Sequence, residues 1–309
     1  MWDFSISASI GLMARTLPFM LLRFAVYAGI ALIYVVVSAL GAGMGYGLGA
    51  ADGALLGGAF GFAIVGGIMF WAREYLFYLV KAGHIAVLVE LIDGRRLPGG
   101  KGQIGHGKDV VRERFTQSSA LFALDILVKG VLRSLTGLAG GLLSFLPGAR
   151  QLRDLLRAFL RLAVGLIDEV ILAHAIRTGS DNAWASAREA LVLYGQNWNI
   201  MFRNAAWLMI FVYGLGFLIF LAMLAPSSLL AYWMPGALSF TALIFALLLA
   251  WCIKTAVLEP FSVACMMQVF FKAIEGQQPN TEWDARLEQM SSHFRKLKSR
   301  ALGSAQVPA

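Results

Sequence analysis

The amino-acid sequence predicts an all-α protein, a polytopic bundle of transmembrane helices with additional amphipathic or re-entrant helices. Of the 309 residues, 59% are apolar or aromatic and only 14% are charged, against about 45–50% and about 25% in soluble domains. The mean hydropathy is +0.70. The apolar residues are gathered into runs, Leu17 to Leu40, Leu55 to Phe70, Trp207 to Leu224 and Leu238 to Ile253, which approach the roughly 20 residues needed to cross a hydrocarbon layer of about 30 Å. A soluble core cannot absorb that excess, whereas lipid can.

Residues 1–16 set Trp2, Phe4, Ile6, Ile10, Leu12 and Met13 among Ser and Ala, the pattern of an amphipathic lead-in at the membrane interface. Arg15 precedes an apolar stretch too long for a signal-peptide core and lacking a small-residue cleavage site, so it is expected to be retained as a first span over 17–40. Pro18 sits where a helix can begin. The following GAGMGYGLGAADG has no Lys or Arg and is placed outside. Gly45, Gly49, Gly53, Gly57 and Gly61 share a four-residue period, which aligns them on one helix stripe where a second backbone can approach. The stripe reads as packing between spans one and two in preference to a permeation path, with a break at Asp52 and Gly53.

A second helix over about 54–92 is too long for one span, so a span over 54–80 is expected with the remainder emerging from the hydrocarbon. It leads into DGRRLPGGKGQIGHGK, which with Arg112 and Arg114 forms the most basic connection in the chain and is placed in the cytoplasm as a flexible loop. Its glycines match neither phosphate-loop nor dinucleotide patterns. Segments 118–147 and 151–177 are apolar but carry Asp125, Lys129, Arg133, Arg157, Arg161, Asp168, Glu169 and His174. They are read as spans with charged faces turned inward or as a hairpin dipping partly into the bilayer, divided by Pro147 and Gly148. Asp125 and Lys129 have the i, i+4 spacing of a helix pair.

Residues 182–197 predict an amphipathic helix with an Asx cap at Asp181 or Asn182. A span over 205–225, an uncharged link APSSLLAYWMPG placed outside, and a return span over 238–258 follow. Lys254, Glu259 and Pro260 interrupt that return, and a kinked, mixed helix continues from it. Within a membrane domain of 17–275, both termini are expected on the cytoplasmic side of a cell membrane, with 276–309 a partly mobile basic tail.

The net charge of +8 lies beside the apolar runs, so the bilayer and its anionic lipids are the expected partners, and nucleic acid is not. Cys252 and Cys265 form neither a disulfide framework nor a metal knuckle. His84, His106, His174 and His293 are scattered, hydrolase and kinase motifs are absent, and no catalytic residue, metal or cofactor is expected. Ionisable residues in apolar sequence remain, and Asp168, Glu169 and Glu259 are the candidate substrate-binding groups, with salt bridges to Arg157, Arg161, Lys129 or Lys254 as the structural alternative. Trp184, Tyr194, Trp198 and Trp207 offer aromatic faces for a quaternary ammonium, or a membrane-interface belt.

The segments RERFTQSSALFALDIL (112–127), RTGSDNAWASAREALVLYGQNWNIMFRN (177–204) and EPFSVACMMQVFFKAIEG (259–276) resemble, in order and spacing, the choline transporter-like family. The likeness covers about 70–298. The family has about twice as many spans, a large external loop after its first span, and an acidic pair after its last helix where this chain has Lys272, Ala273, Ile274 and Glu275. The acids Asp168, Glu169 and Glu259 together with the resemblance make transport or binding of a small organic cation or lipid-like amine the leading expectation. The competing expectation is a non-transporting membrane scaffold or accessory subunit that docks partner proteins or anionic lipid. Assembly into a homo-oligomer is compatible with either.

Overall fold

A computed structural model describes residues 2–72, 78–97, 102–114, 123–134, 167–180, 182–232 and 240–303. Every regular element among them is a helix: α1 (Ile6–Arg15), α2 (Leu17–Ala72), α3 (Tyr78–Ile92), α4 (Gln103–Arg114), α5 (123–134), α6 (Asp168–Thr178), α7 (Ala183–Gln196), α8 (Trp198–Tyr232), α9 (Phe240–Ile253), a π-helical turn Lys254–Leu258, α10 (Glu259–Ala273), α11 (Thr281–Met290) and α12 (Ser292–Gly303). Among the described residues, three stretches are long and apolar enough to cross a membrane, Leu17–Met69, Trp198–Leu229 and Leu243–Ala273. The helices divide into two compact units, one of Met1–Thr16, Lys81–Val212 and Phe261–Ala309, the other of Leu17–Val80 and Tyr213–Pro260. Most of 118–147 and 151–177, with the turn at Pro147 and Gly148, lies outside the described residues.

In the unit of Leu17–Val80 and Tyr213–Pro260, α2 is a hairpin. It reverses at Gly49 (φ −155, ψ 30) and Ala50 (φ 53, ψ −133), and its limbs pack antiparallel through glycine. A Cβ on Gly41 would lie 2.2 Å from the Gly57 carbonyl oxygen, one on Gly45 2.0 Å from that of Gly53, and one on Gly61 2.5 Å from that of Val37. Only hydrogen fits there, so the two backbones touch. The break expected at Asp52 and Gly53 therefore falls earlier, because Gly53 stays helical to meet Gly45. Gly49 forms the reversal and has nothing within 4 Å of its added Cβ, so it is not a member of the packing stripe. Away from this seam, Leu32, Leu40, Met44, Leu48, Leu55, Leu56 and Phe60 are 62–91% exposed, far more apolar surface than water tolerates.

In the same unit, α9 exposes Leu243, Ile244, Leu247 and Trp251 and then widens into the π turn. Pro260 has no N–H and would press on the carbonyl four residues back in a regular helix. The turn absorbs that conflict, and the Glu259 N–H bonds the Lys254 carbonyl instead. α8 does not end before the expected external link, since it carries Pro226 within it and continues to Tyr232.

The other unit is a protein-covered core. Along α3, Ala82, Ile85, Ala86, Val87, Leu88 and Val89 are buried on every side, the mark of a central helix that is apolar all round. Each such Val, Leu or Ile contributes about 1.5–3 kcal/mol of burial. α1 packs its Leu12 and Met13 into this unit, and Ser9 Oγ lies 3.1 Å from Cys265 Sγ on α10. The lead-in thus buries Leu12 and Met13 against protein while Trp2 and Ile10 stay exposed. The connection read as a flexible loop contains α4, whose His106 reaches Glu90 at 2.8 Å. Asn182 caps α7, accepting from the Ala185 N–H.

Over its described length the tail beyond 277 is folded into α11 and α12. Asn280 caps α11 by accepting from the Trp283 N–H at 2.8 Å. Leu287, Phe294, Leu297 and Ala301 recur at helical spacing and are buried. The Trp283 ring covers Gly195, where a Cβ would meet it at 2.6 Å, and the His293 ring covers Gly130 at 2.4 Å. Asp284 bridges two helices, accepting from Arg188 Nε and Lys298 Nζ, each at 2.6 Å. Burial works against its ionisation, but the bonds from Arg188 and Lys298 outweigh it and hold its carboxyl below the usual value. The bonds to Asp284 and Glu288 in turn raise Lys298 above its own.

Two outcomes are expected. Gly57→Ala, forced against the Gly41 backbone, lowers unfolding stability in detergent by about 1–3 kcal/mol, while Gly47→Ala, with open space around it, does not; equal effects would rule out the glycine seam. The Asp284 pKa is depressed on folding, so its contribution is present above the unfolded value near 3.8 and disappears as pH falls through the lower folded one. Lys298 is raised, so its contribution is full below 10.5 and is lost as pH climbs through the higher folded value. Protection of α11 and α12 amides from hydrogen exchange should therefore fall toward acid below about pH 4, and Asp284→Asn should remove that acid limb.

Candidate functional site

The three acids singled out by the sequence are divided between the two units. Glu259 belongs to the unit of Leu17–Val80 and Tyr213–Pro260, while Asp168 and Glu169 belong to the other.

Around Glu259 the π turn sets the geometry. The widened backbone leaves the Thr255 carbonyl to accept from Arg23 Nη2 at 3.2 Å. The same guanidinium nitrogen stands 3.6 Å from Glu259 Oε2, and Lys254 Nζ stands 3.3 Å from Glu259 Oε1. Lys254 also lies over the Tyr213 ring, 5.2 Å from its centroid. The carboxylate is thus shared by two cations, one of them, Arg23, only 4% exposed. An isolated charge in such surroundings is costly, and the arginine is held there by its partners. Arg23 was missed by sequence reasoning, although the signal was present: it is the one charged residue between Leu17 and Ala51, and a lone intramembrane arginine requires an acceptor.

Asp168 and Glu169 open α6, where the positive end of the helix dipole favours acids. Lys129 of α5 bonds Asp125 at 2.6 Å, the i, i+4 pair read from the sequence, and stands 3.6 Å from Asp168. Lys81 of α3 pairs with Glu169. All three carboxylates are buried, and Asp168 Oδ1 and Glu169 Oε2 have no hydrogen-bond partner among the described residues. Of the proposed basic partners, Lys129 and Lys254 are engaged, Lys81 and Arg23 join them, and Arg157 and Arg161 lie outside the described residues. Ion pairs thus tie α3 and α5 to α6, and α2 to Glu259, which keeps 31% of its side chain exposed.

A cleft of about 500 Å³ lies elsewhere, between α6, α7, α10 and the turn after α10. Its apolar floor includes Leu193 and Phe271, and its polar wall includes His174, Arg177, Glu189, Gln268, Lys272 and Glu275. The Arg177 guanidinium lies on the Phe271 ring, 4.2 Å from its centroid, and its Nη2 is 2.8 Å from Asp93. His174 is buried, with Nε2 3.4 Å from Glu189 and, among the described residues, no hydrogen-bond partner at Nδ1. Burial outweighs Glu189 and lowers its pKa, so the ring is held neutral.

The aromatic residues named for a cage are dispersed. Arg300 covers Trp184, Tyr194 meets Trp198 edge-on, and Trp207 meets Trp2. Among the described residues, no group of three or more His, Cys, Asp or Glu is placed to hold a metal ion. No family model, curated protein or solved structure matches the chain.

If the Lys81–Glu169 pair holds α3 to α6, Glu169→Gln alone should cost about 2–3 kcal/mol, toward the lower end for a buried pair because Lys81 keeps 26% of its side chain exposed. Lys81→Met combined with Glu169→Gln should recover most of that loss. Additive effects of the two substitutions in chemical denaturation would disprove the coupling.

Proposed function

We propose that this chain is a multi-pass cell-membrane protein that does not itself transport, in which the apolar helices anchor a compact helical unit that docks partner proteins or anionic lipid. The observation that carries this reading is the neutralisation of Asp168, Glu169 and Glu259 by the chain's own lysines and arginine. A transport pathway for a cation needs an acid that the cation can reach, and these acids are engaged. The basic connection 94–115 and the outward side chains of α12, Arg295, Lys296 and Arg300, supply the positive surface that anionic headgroups attract. The same bias in basic residues supports cytoplasmic termini.

One observation favours the transport reading implied by the choline transporter-like resemblance. Glu259 keeps 31% of its side chain exposed beside a π turn and a proline, local irregularity of a kind that frequently marks functional positions in helices. Reconstitution into liposomes separates the two. We expect no saturable uptake of choline or ethanolamine above empty vesicles, and tighter association of the protein with vesicles containing phosphatidylglycerol that Arg295→Glu with Lys296→Glu weakens. Saturable uptake abolished by Glu259→Gln would overturn the proposal in favour of transport.

A further inference from the structure

The cleft between α6, α7 and α10 is lined by charges of both signs, not all of which are drawn into close ion pairs among the described residues. Arg177 is satisfied by Asp93 and by the Phe271 face. Gln268 is likewise engaged, donating to Ser9 Oγ at 2.8 Å. Three charged groups remain. Lys272 and Glu275 have no close ion pair among the described residues, Lys272 acting on Asp3 only at longer Coulombic range, and Glu189 faces the neutral His174. They line, with Arg177 and Gln268, a mostly polar hollow over Leu193 and Phe271 whose wall includes the buried His174, its Nδ1 without a hydrogen-bond partner among the described residues. A buried ring nitrogen without a partner is a cost unless something occupies the space beside it.

We propose that this cleft binds a small zwitterion of amino-acid class, its ammonium against Glu189 and Glu275, its carboxylate against Lys272, and its side chain over Leu193 and Phe271. A cation alone would leave Lys272 unanswered, and an anion alone would be repelled by two carboxylates. The volume, about 500 Å³, falls in the range of small-molecule sites, where a few convergent polar groups over an apolar floor set orientation. Because every group lies within one compact unit, the assignment is independent of whether the protein transports.

The test is thermal unfolding of the purified full chain in detergent against glycine, L-glutamine and L-leucine, with methylamine and acetate as single-charge controls. A ligand that binds only the folded state raises the unfolding temperature in a saturable way. At least one amino acid should do so where methylamine and acetate do not. Glu189→Gln and Lys272→Gln, both at accessible positions, should each weaken that binding at least tenfold while leaving the unliganded unfolding temperature unchanged. Absence of any saturable shift at millimolar amino acid, a shift equalled by methylamine or acetate, or a shift untouched by both substitutions would each overturn the assignment. Uptake of the same amino acid into proteoliposomes would instead remove the non-transporting reading and leave the cleft standing.

Discussion

A charge carried into apolar surroundings has to be answered where it lies, and the arrangement of helices around both ionic clusters follows from that requirement. Arg23 sits in α2 with almost no exposed surface, and the Thr255 carbonyl and Glu259 carboxylate hold it. The carbonyl is available because Pro260 disrupts the regular bonding pattern and the backbone widens. A local defect in one helix thereby supplies an acceptor to another. The same logic places Lys81 and Lys129 against the acids at the start of α6.

The two units meet the hydrophobic effect in different ways. In the core unit, α3 hides its apolar side chains against other helices, and α11 and α12 close over the remaining surface with Leu287, Phe294 and Leu297. In the unit holding the α2 hairpin, many large apolar side chains are exposed and the two limbs of the hairpin meet through glycines. With lipid outside there is little hydrophobic gain in joining two helices, so close backbone contact takes over that work. The seam of Gly41 with Gly57 and Gly45 with Gly53 is the result.

These arrangements bear on function through what they leave unoccupied. Acids that stand out in the sequence because they interrupt apolar runs are absorbed by internal pairing. Groups that look ordinary in sequence, Glu189 on an amphipathic helix and Lys272 near a helix end, come together as lining of one hollow. Ionisable residues in membrane-type sequence mark functional sites by default because their cost demands a reason; here ion pairing is a sufficient reason for three of them.

The sequence by itself determined the helical class, the apolar excess that calls for lipid, the Asp125–Lys129 pair, the irregularity before Pro260 and the four-residue glycine period, since all of these are set by spacing along one helix. It did not place the hairpin reversal at Gly49, identify Arg23 and Lys81 as the partners of Glu259 and Glu169, or dock the tail, although the spacing of Leu287, Phe294, Leu297 and Ala301 carried a usable signal. Only the tertiary structure decided these, and it alone distinguished α3, apolar and covered by protein, from α2, apolar and bare. The physical reason is that periodicity records neighbours a few residues apart, whereas burial and ion pairing depend on groups far apart in the chain that meet only when the helices pack.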